Sequence, residues 1–351
     1  MRGLLARLPL RRIILFAVAI VGLYFVWPQL MRLFAQAPQL EQISWLWFAL
    51  MIVLEAGSYA CAWGLSRLTL GERSWFLVAT AQLTSNAVSK TIPGGAAAGG
   101  TASYAMLAVR GAAPARIVSG LTAAALISNA VLFSLPVLSL PAIVFDGVTV
   151  AATLLRALVY GILVFVLLLG VGAVALFTDR PLAAVGTLIQ RVRNRIAKKR
   201  APATDLPKRL LAQRDFIRTM LGRRWWVALP YAAGNWLLDY GALLAALAAV
   251  GARPNASLVL LAYVAAALLG MIPITPGGLG FVEVGLVATL RLAGVSLAEA
   301  TLATLAYRLV SFWLPIPTGG IAYLLYRRRY GAQPPSTEPA AAATAVGEAD
   351  S

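Results

Sequence analysis

The chain has 351 residues, of which 60% are hydrophobic and 12% charged, and its mean hydropathy is +0.80. Soluble domains carry about 25% charged residues, so this composition excludes a disordered chain and a soluble globular domain and specifies an all-α, polytopic membrane protein. Basic residues outnumber acidic ones 30 to 13, for a net charge of +17. These charges sit between apolar runs and have no aromatic interleaving. They therefore read as orientation signals in an anionic membrane, and no nucleic-acid partner is expected. Histidine is absent and Cys61 is the single cysteine. That removes histidine acid–base catalysis, zinc or haem ligation by histidine, and an internal disulfide. No metal and no cofactor is expected, and Cys61, inside an apolar run, reads as a packing residue.

In chain order, Arg11-Arg12 and an apolar stretch from Ile13 to Trp27 precede Ala35-Gln36-Ala37, the outline of a secretory signal. Arg32 interrupts the segment and Pro38 follows the small residues, which favours an uncleaved first helix. A helix needs about 20 apolar residues to cross the hydrocarbon core. Full-length candidates are Ile13–Phe34, Ile43–Leu65, Arg116–Phe145, Thr153–Phe177, Trp225–Val250 and Leu297–Tyr326. Two further apolar regions are broken. One runs Ser74–Lys90, then TIPGGAAAGG, then Thr101–Val109; the other runs Ser257–Ile272, then PITPGGLG, then Phe281–Leu292. Proline removes a donor and paired glycines loosen the backbone. Both regions read as re-entrant helical hairpins, which gives about six full spans plus two hairpins, with a count of eight spans as the alternative.

Charge sets the orientation. Arg2, Arg7, Arg11 and Arg12, then Arg67 and Arg73, Arg110 and Arg116, the loop at about 179–224 and Arg327–Arg329 all fall on one side if each hairpin returns to the side it entered. Both termini are then cytoplasmic. Within the loop, Leu182–Arg200 alternates apolar and basic positions and predicts an amphipathic helix on the inner leaflet. Residues 1–330 form a single membrane domain, and 331–351 read as a disordered cytoplasmic tail.

The two broken regions match each other. Pro93-Gly94-Gly95 aligns with Pro276-Gly277-Gly278 at an offset of 183, and Gly111 meets Gly294 at the same offset. Glu55-Ala56-Gly57 precedes Asp239-Tyr240-Gly241 by 184. This predicts inverted repeats at about 43–145 and 225–326, an arrangement of transporters with a midplane site at discontinuous helices.

Glu55 and Asp239 fall mid-span, where a charge costs about 2.5–3.5 kcal/mol on insertion scales. They read either as a substrate or proton site or as a structural pair. Lys90 and Arg308 are candidates to contact a phosphate, with Glu283 to attract an amine or neutralise Arg308; the alternative pairs Arg308 with Asp239 or Glu283 for assembly. Gly94, Gly95, Gly99, Gly100, Gly277, Gly278 and Gly280, with Pro93 and Pro276, either open backbone N–H groups to an anion or allow tight helix packing. The run lacks the Gly-Lys-Ser/Thr ending of a P-loop.

IPGGAAAGGTASYAML, TPGGLGFVEVGLVATLRLAGV and AYRLVSFWLPIPTGG resemble the flippase-like transmembrane region of lysylphosphatidylglycerol synthases, especially its stand-alone members, over about Ile43 to Arg329. By motif, Pro276, Gly277, Gly278, Gly280 and Glu283 fall in the PGGxGxxE signature and Arg308 in the YR pair. The first hairpin departs from the common pattern, with Gly100-Thr101-Ala102-Ser103-Tyr104 after its glycines. The resemblance implies a bacterial inner-membrane protein that moves a phospholipid, aminoacyl-lipid or polyprenyl-linked or glycolipid headgroup between leaflets, without the family's aminoacyltransferase domain. Its partners would be membrane lipids with anionic headgroups, and a second copy or a cell-envelope biosynthesis protein. A non-catalytic envelope scaffold and an intramembrane lipid transferase are the rival readings.

Overall fold

The computed structural model describes residues 45–92, 95–139, 178–196, 205–222, 225–271 and 276–331, with scattered positions between 156 and 170. The expected first span Ile13–Phe34, most of Thr153–Phe177 and the tail after Gly331 lie outside the described residues. Within them all regular structure is helical. The helices are α1 (Trp45–Leu70), α2 (Trp75–Thr91), α3 (Gly95–Leu107), α4 (Pro114–Ser134), α5 (Asp179–Ile196), α6 (Leu206–Leu221), α7 (Trp225–Ala249), α8 (Ala256–Gly270), α9 (Phe281–Leu292), α10 (Leu297–Arg308) and α11 (Pro315–Tyr330). Helix starts carry their expected signals. The Ser74 hydroxyl accepts from the Leu77 N–H at 3.2 Å, and Asn255 Oδ1 accepts from the Ser257 N–H at 2.9 Å. Ser296 and Glu299 cap α10 reciprocally, and Pro114 takes the first turn of α4.

Four stretches are long and apolar enough to cross a membrane: Trp45–Leu70, Pro114–Ser139, Trp225–Ala249 and Leu297–Tyr330. Only 28–33% of each is buried inside the protein. Their outer faces carry Trp45, Val53, Leu126, Trp225, Trp226 and Leu324, a surface for lipid. The chain is an all-α polytopic membrane protein. The last stretch is not one regular helix: a π turn over Leu309–Trp313 joins α10 to α11.

α1 and α7 form the central pair, with α4 and α10 packed on α7. Small residues let the pair close. Leu238 lies over Gly57, Tyr231 over Gly64 and Cys61 over Gly234, so Cys61 does pack. A Cβ at Gly234 would stand 2.7 Å from Cys61 Sγ. Gly234→Val is therefore expected to cost about 1–3 kcal/mol by overpacking, read as a lower melting temperature in detergent. Polar ties fix the register: the Ser58 hydroxyl donates to the Asn235 carbonyl at 2.8 Å, and Trp236 Nε1 donates to the Ser128 carbonyl at 2.8 Å.

Each Pro-Gly-Gly segment lies between two helices that pack on one another, α2 on α3 and α8 on α9. The open ends of the first hairpin meet. Arg110 from beyond α3 bridges to Glu72 before α2 at 3.1 Å, and Arg116 donates to the Leu70 and Gly71 carbonyls at 2.9 Å each. The end of α11 joins them, with Arg329 over the Phe76 ring at 4.8 Å, and so does the end of α1, with Arg67 over Trp75 at 4.1 Å. The basic residues of these loops therefore gather at one end of the protein. At 1.5 Å per residue α3 is about 20 Å long and α9 about 18 Å, well short of a hydrocarbon core of about 30 Å.

The expected amphipathic segment is helical as α5, starting three residues earlier than anticipated. It packs on α6, where Arg214 bridges Asp179 at 2.6 Å and Asp215 at 2.8 Å. Val185, Leu188, Ile189 and Val192 remain exposed along one face. A polarity-sensitive dye at Leu188, in a Cys61→Ala background, should emit at shorter wavelength in anionic vesicles than the same dye at Arg193. Equal spectra would contradict a membrane-lying helix.

Candidate functional site

α1 and α7 bring Glu55 and Asp239 together in the middle of the helix bundle. Glu55 is 6% exposed, and Asp239 lies within hydrogen-bonding reach of its side chain. The two carboxyls are held differently. Asp239 accepts from two tyrosine hydroxyls, Tyr263 of α8 at 2.6 Å on Oδ2 and Tyr307 of α10 at 2.8 Å on Oδ1. Glu55 Oε2 is buried without a hydrogen-bond partner among the described residues.

Lys90 ends α2 at the first break. Its ammonium donates to the Ser311 carbonyl at 2.6 Å and to the Tyr59 hydroxyl at 3.3 Å. The Ser311 carbonyl is available for a local reason. It stands four residues before Pro315, which has no N–H to return to it, and inside the π turn. An ammonium has three donors, and the third makes no bond among the described residues. Ser311 Oγ also lacks a partner among the described residues.

Glu283 and Arg308 form the other half of the cluster. Arg308 Nε donates to Glu283 Oε1 at 2.7 Å, with side-chain exposures of 11% and 15%. Glu283 Oε2 accepts from the Gly280 N–H at 2.7 Å. Glu283 is the third residue of α9, so its carboxylate both caps that helix and neutralises the arginine. Of the two assembly partners considered for Arg308, the structure places Glu283, and not Asp239, on the guanidinium. Arg308 also stacks on Phe312, its central carbon 4.4 Å from the ring centroid, and Lys90 Nζ stands 5.5 Å from the same centroid.

The hairpin tips meet here. Gly277 lies against the Phe312 ring and the Lys90 stem, its carbonyl 3.4 Å from Arg308 Nη2. Gly277, Gly278 and Gly280 all have positive φ (54°, 74° and 85°), which side-chain-bearing residues rarely adopt. α2 and α3 both contact the turn Pro276–Gly278. Lys90, Gly277 and Glu283 thus converge from both hairpins on Arg308 of α10, with Glu55 and Asp239 beside them.

The remaining glycines do something else. The first break is shorter than the sequence pattern implies: α3 already begins at Gly95, because the Ala96–Ala98 run favours helix. Gly95 and Gly99 press against the Ser89 and Ser85 backbone and hydroxyls, where a Cβ has no room, and so pack α3 onto α2. Gly100 is exposed, with open space around it. Pro93 and Gly94 lie outside the described residues. Pro276 lies in the second turn. Sequence reasoning missed Tyr59, Tyr263, Ser311 and Phe312. The usable signal was the demand of a mid-span carboxylate for donors, together with the carbonyl freed by Pro315.

A family profile described as the lysylphosphatidylglycerol synthase TM region matches residues 13–319, which include both hairpins and every charge of the cluster. The chain belongs to this family. Among curated proteins, a UPF0104 membrane protein of Methanothermobacter thermautotrophicus is 33% identical over 98 residues, 28% of this chain and 29% of that one. A UPF0104 membrane protein of Pyrococcus horikoshii is 39% identical over 79 residues, 22% of this chain and 24% of that one. The matched stretches thus span less than a third of these relatives. No solved structure matches the chain.

Proposed function

We propose that this family member passes a lipid headgroup between the leaflets of a bacterial inner membrane, with both termini in the cytoplasm. The observation that carries the reading is the meeting of two helix breaks around two cations, half-buried Lys90 and buried Arg308, inside helices whose outer faces are apolar. A headgroup phosphate is the natural ligand for that pair, while acyl chains stay in lipid. Glu283 supports the reading in a specific way. Its carboxylate lies at a helix N-terminus and on an arginine, the surroundings that also suit a phosphate. The lipid phosphate would exchange with this resident anion for Arg308 and for the unused donor of Lys90. The gathered basic loops support a reading in which that end of the bundle faces the anionic cytoplasmic leaflet and the hairpins enter from opposite sides as inverted repeats.

Binding is tested with short-chain lipids on detergent-purified protein. A short-chain phosphatidylglycerol should raise the melting temperature of wild type more than diacylglycerol of the same chains, and Lys90→Met should abolish the difference. Equal stabilisation by both lipids would oppose a phosphate site. The Arg308–Glu283 pair, satisfied by its own bonds, also suits a purely assembling role in an envelope scaffold. The pairwise replacement described in the Discussion separates the two.

A further inference from the structure

The cluster holds two cations, Lys90 and Arg308, and three carboxyl groups, Glu55, Asp239 and Glu283. Two of those carboxyls already accept on both oxygens: Asp239 from two tyrosine hydroxyls, and Glu283 from Arg308 and the Gly280 N–H, each oxygen keeping room for a further donor. Glu55 differs. It is buried, one of its oxygens has no partner among the described residues, and it lies against another carboxyl. The ionisable groups facing it are Tyr59 of its own helix, Asp239 of α7 and Lys90 of α2. Tyr263 of α8 and Tyr307 of α10 stand on Asp239, and Arg308 of α10 stands by Tyr307. Lys90 is held by Ser311 and Tyr59 rather than by either acid. If all three carboxyls are ionised, the cluster carries one uncompensated negative charge inside an apolar bundle. If one is protonated, it is neutral. Among the three, only Glu55 has an oxygen without a donor, and an O–H there can be given to Asp239.

We infer that Glu55 is the proton-carrying group of this site and that it couples proton uptake to the binding of an anionic headgroup. This rests on the lipid reading above and adds its coupling ion. A proton taken by Glu55 from one aqueous face removes one negative charge beside Lys90, so a singly anionic phosphate then leaves the cluster with one net negative charge where it would otherwise leave two. When the headgroup leaves at the other face, Glu55 releases the proton there. Linkage makes the effect reciprocal: each ligand raises the affinity for the other by the same factor.

Two measurements decide it. Infrared spectroscopy of wild type in lipid should show the carbonyl stretch of a protonated carboxyl, lost in Glu55→Gln and kept in Glu283→Gln. Absence of that band, or its survival in Glu55→Gln, overturns the assignment whether or not the protein moves lipid. Gln matches Glu in shape; should that variant not fold, loss or frequency shift of the band in Glu55→Asp replaces it, and an unchanged band overturns the assignment. The second measurement is leaflet exchange of a singly anionic fluorescent lipid at acid and alkaline pH. Wild type should speed up on acidification by about fivefold or more, the lower end of ordinary site coupling, and Glu55→Gln should be flat. Wild-type exchange that ignores pH overturns the coupling, as does exchange that requires sodium in place of choline. If no lipid moves at all, the lipid reading and the coupling fall together, while the infrared band still decides where the proton resides.

Discussion

Arg308→Ala is expected to cost about 3–5 kcal/mol of stability, the ordinary penalty for removing one partner of a buried ion pair. Both side chains are shielded, at 11% and 15% exposure, so water does not step in to solvate Glu283. The loss would spread to the second hairpin, because the same carboxylate caps α9 through the Gly280 N–H. A melting temperature in detergent reads it directly. The informative companion is Arg308→Met with Glu283→Gln. This double variant removes both charges, keeps an amide oxygen for the cap and retains most of the volume. Replacing both members of a buried pair by neutral groups is often near neutral for stability, so most of the lost stability should return. Lipid exchange should not return, because the cation that meets the phosphate is gone. Recovery of both stability and cellular function would show that the pair only assembles the fold.

Asp239→Ala should be the next most damaging change. It strips the acceptor from two buried hydroxyls, Tyr263 and Tyr307, at about 1–3 kcal/mol for each one left unsatisfied. Tyr263 has a weak second acceptor, the Trp236 carbonyl at 3.4 Å, so the Tyr307 hydroxyl should carry the larger share. Asp239→Asn keeps one carbonyl oxygen and should cost clearly less. Adding Tyr307→Phe to Asp239→Ala should recover part of the loss, measured as a double-mutant cycle on thermal unfolding. Strict additivity in that cycle would contradict the hydrogen bond as drawn.

Much of this was readable in the sequence, for physical reasons that can be named. Apolar length announced α1, α4 and α7. A charge amid such residues announced Glu55 and Asp239, because lipid tolerates one only where a partner or cavity receives it. Proline followed by paired glycines marked both helix breaks, and the second starts again at Phe281 as the pattern required. α3 starts earlier than its glycines imply, because the alanines between them favour helix. The function of the glycines there is contact with Ser85 and Ser89, which only the packed partner reveals. The π turn at Leu309–Trp313 was invisible as well. It leaves apolar periodicity intact and becomes meaningful only when Lys90 arrives from 221 residues away. Partners of that kind depend on which helices cross, and local patterns do not carry that information.

The central claim is that the meeting point of the two hairpin tips passes a lipid headgroup. The direct test is leaflet exchange of fluorescent lipids in proteoliposomes, over a panel of headgroups, comparing wild type with Arg308→Ala and Glu283→Gln, each shown to be folded. The account predicts exchange in wild type, selective for headgroups with a phosphate, and its loss in both variants. Folded wild-type protein that exchanges no lipid, or exchange that persists unchanged in Arg308→Ala, would contradict it.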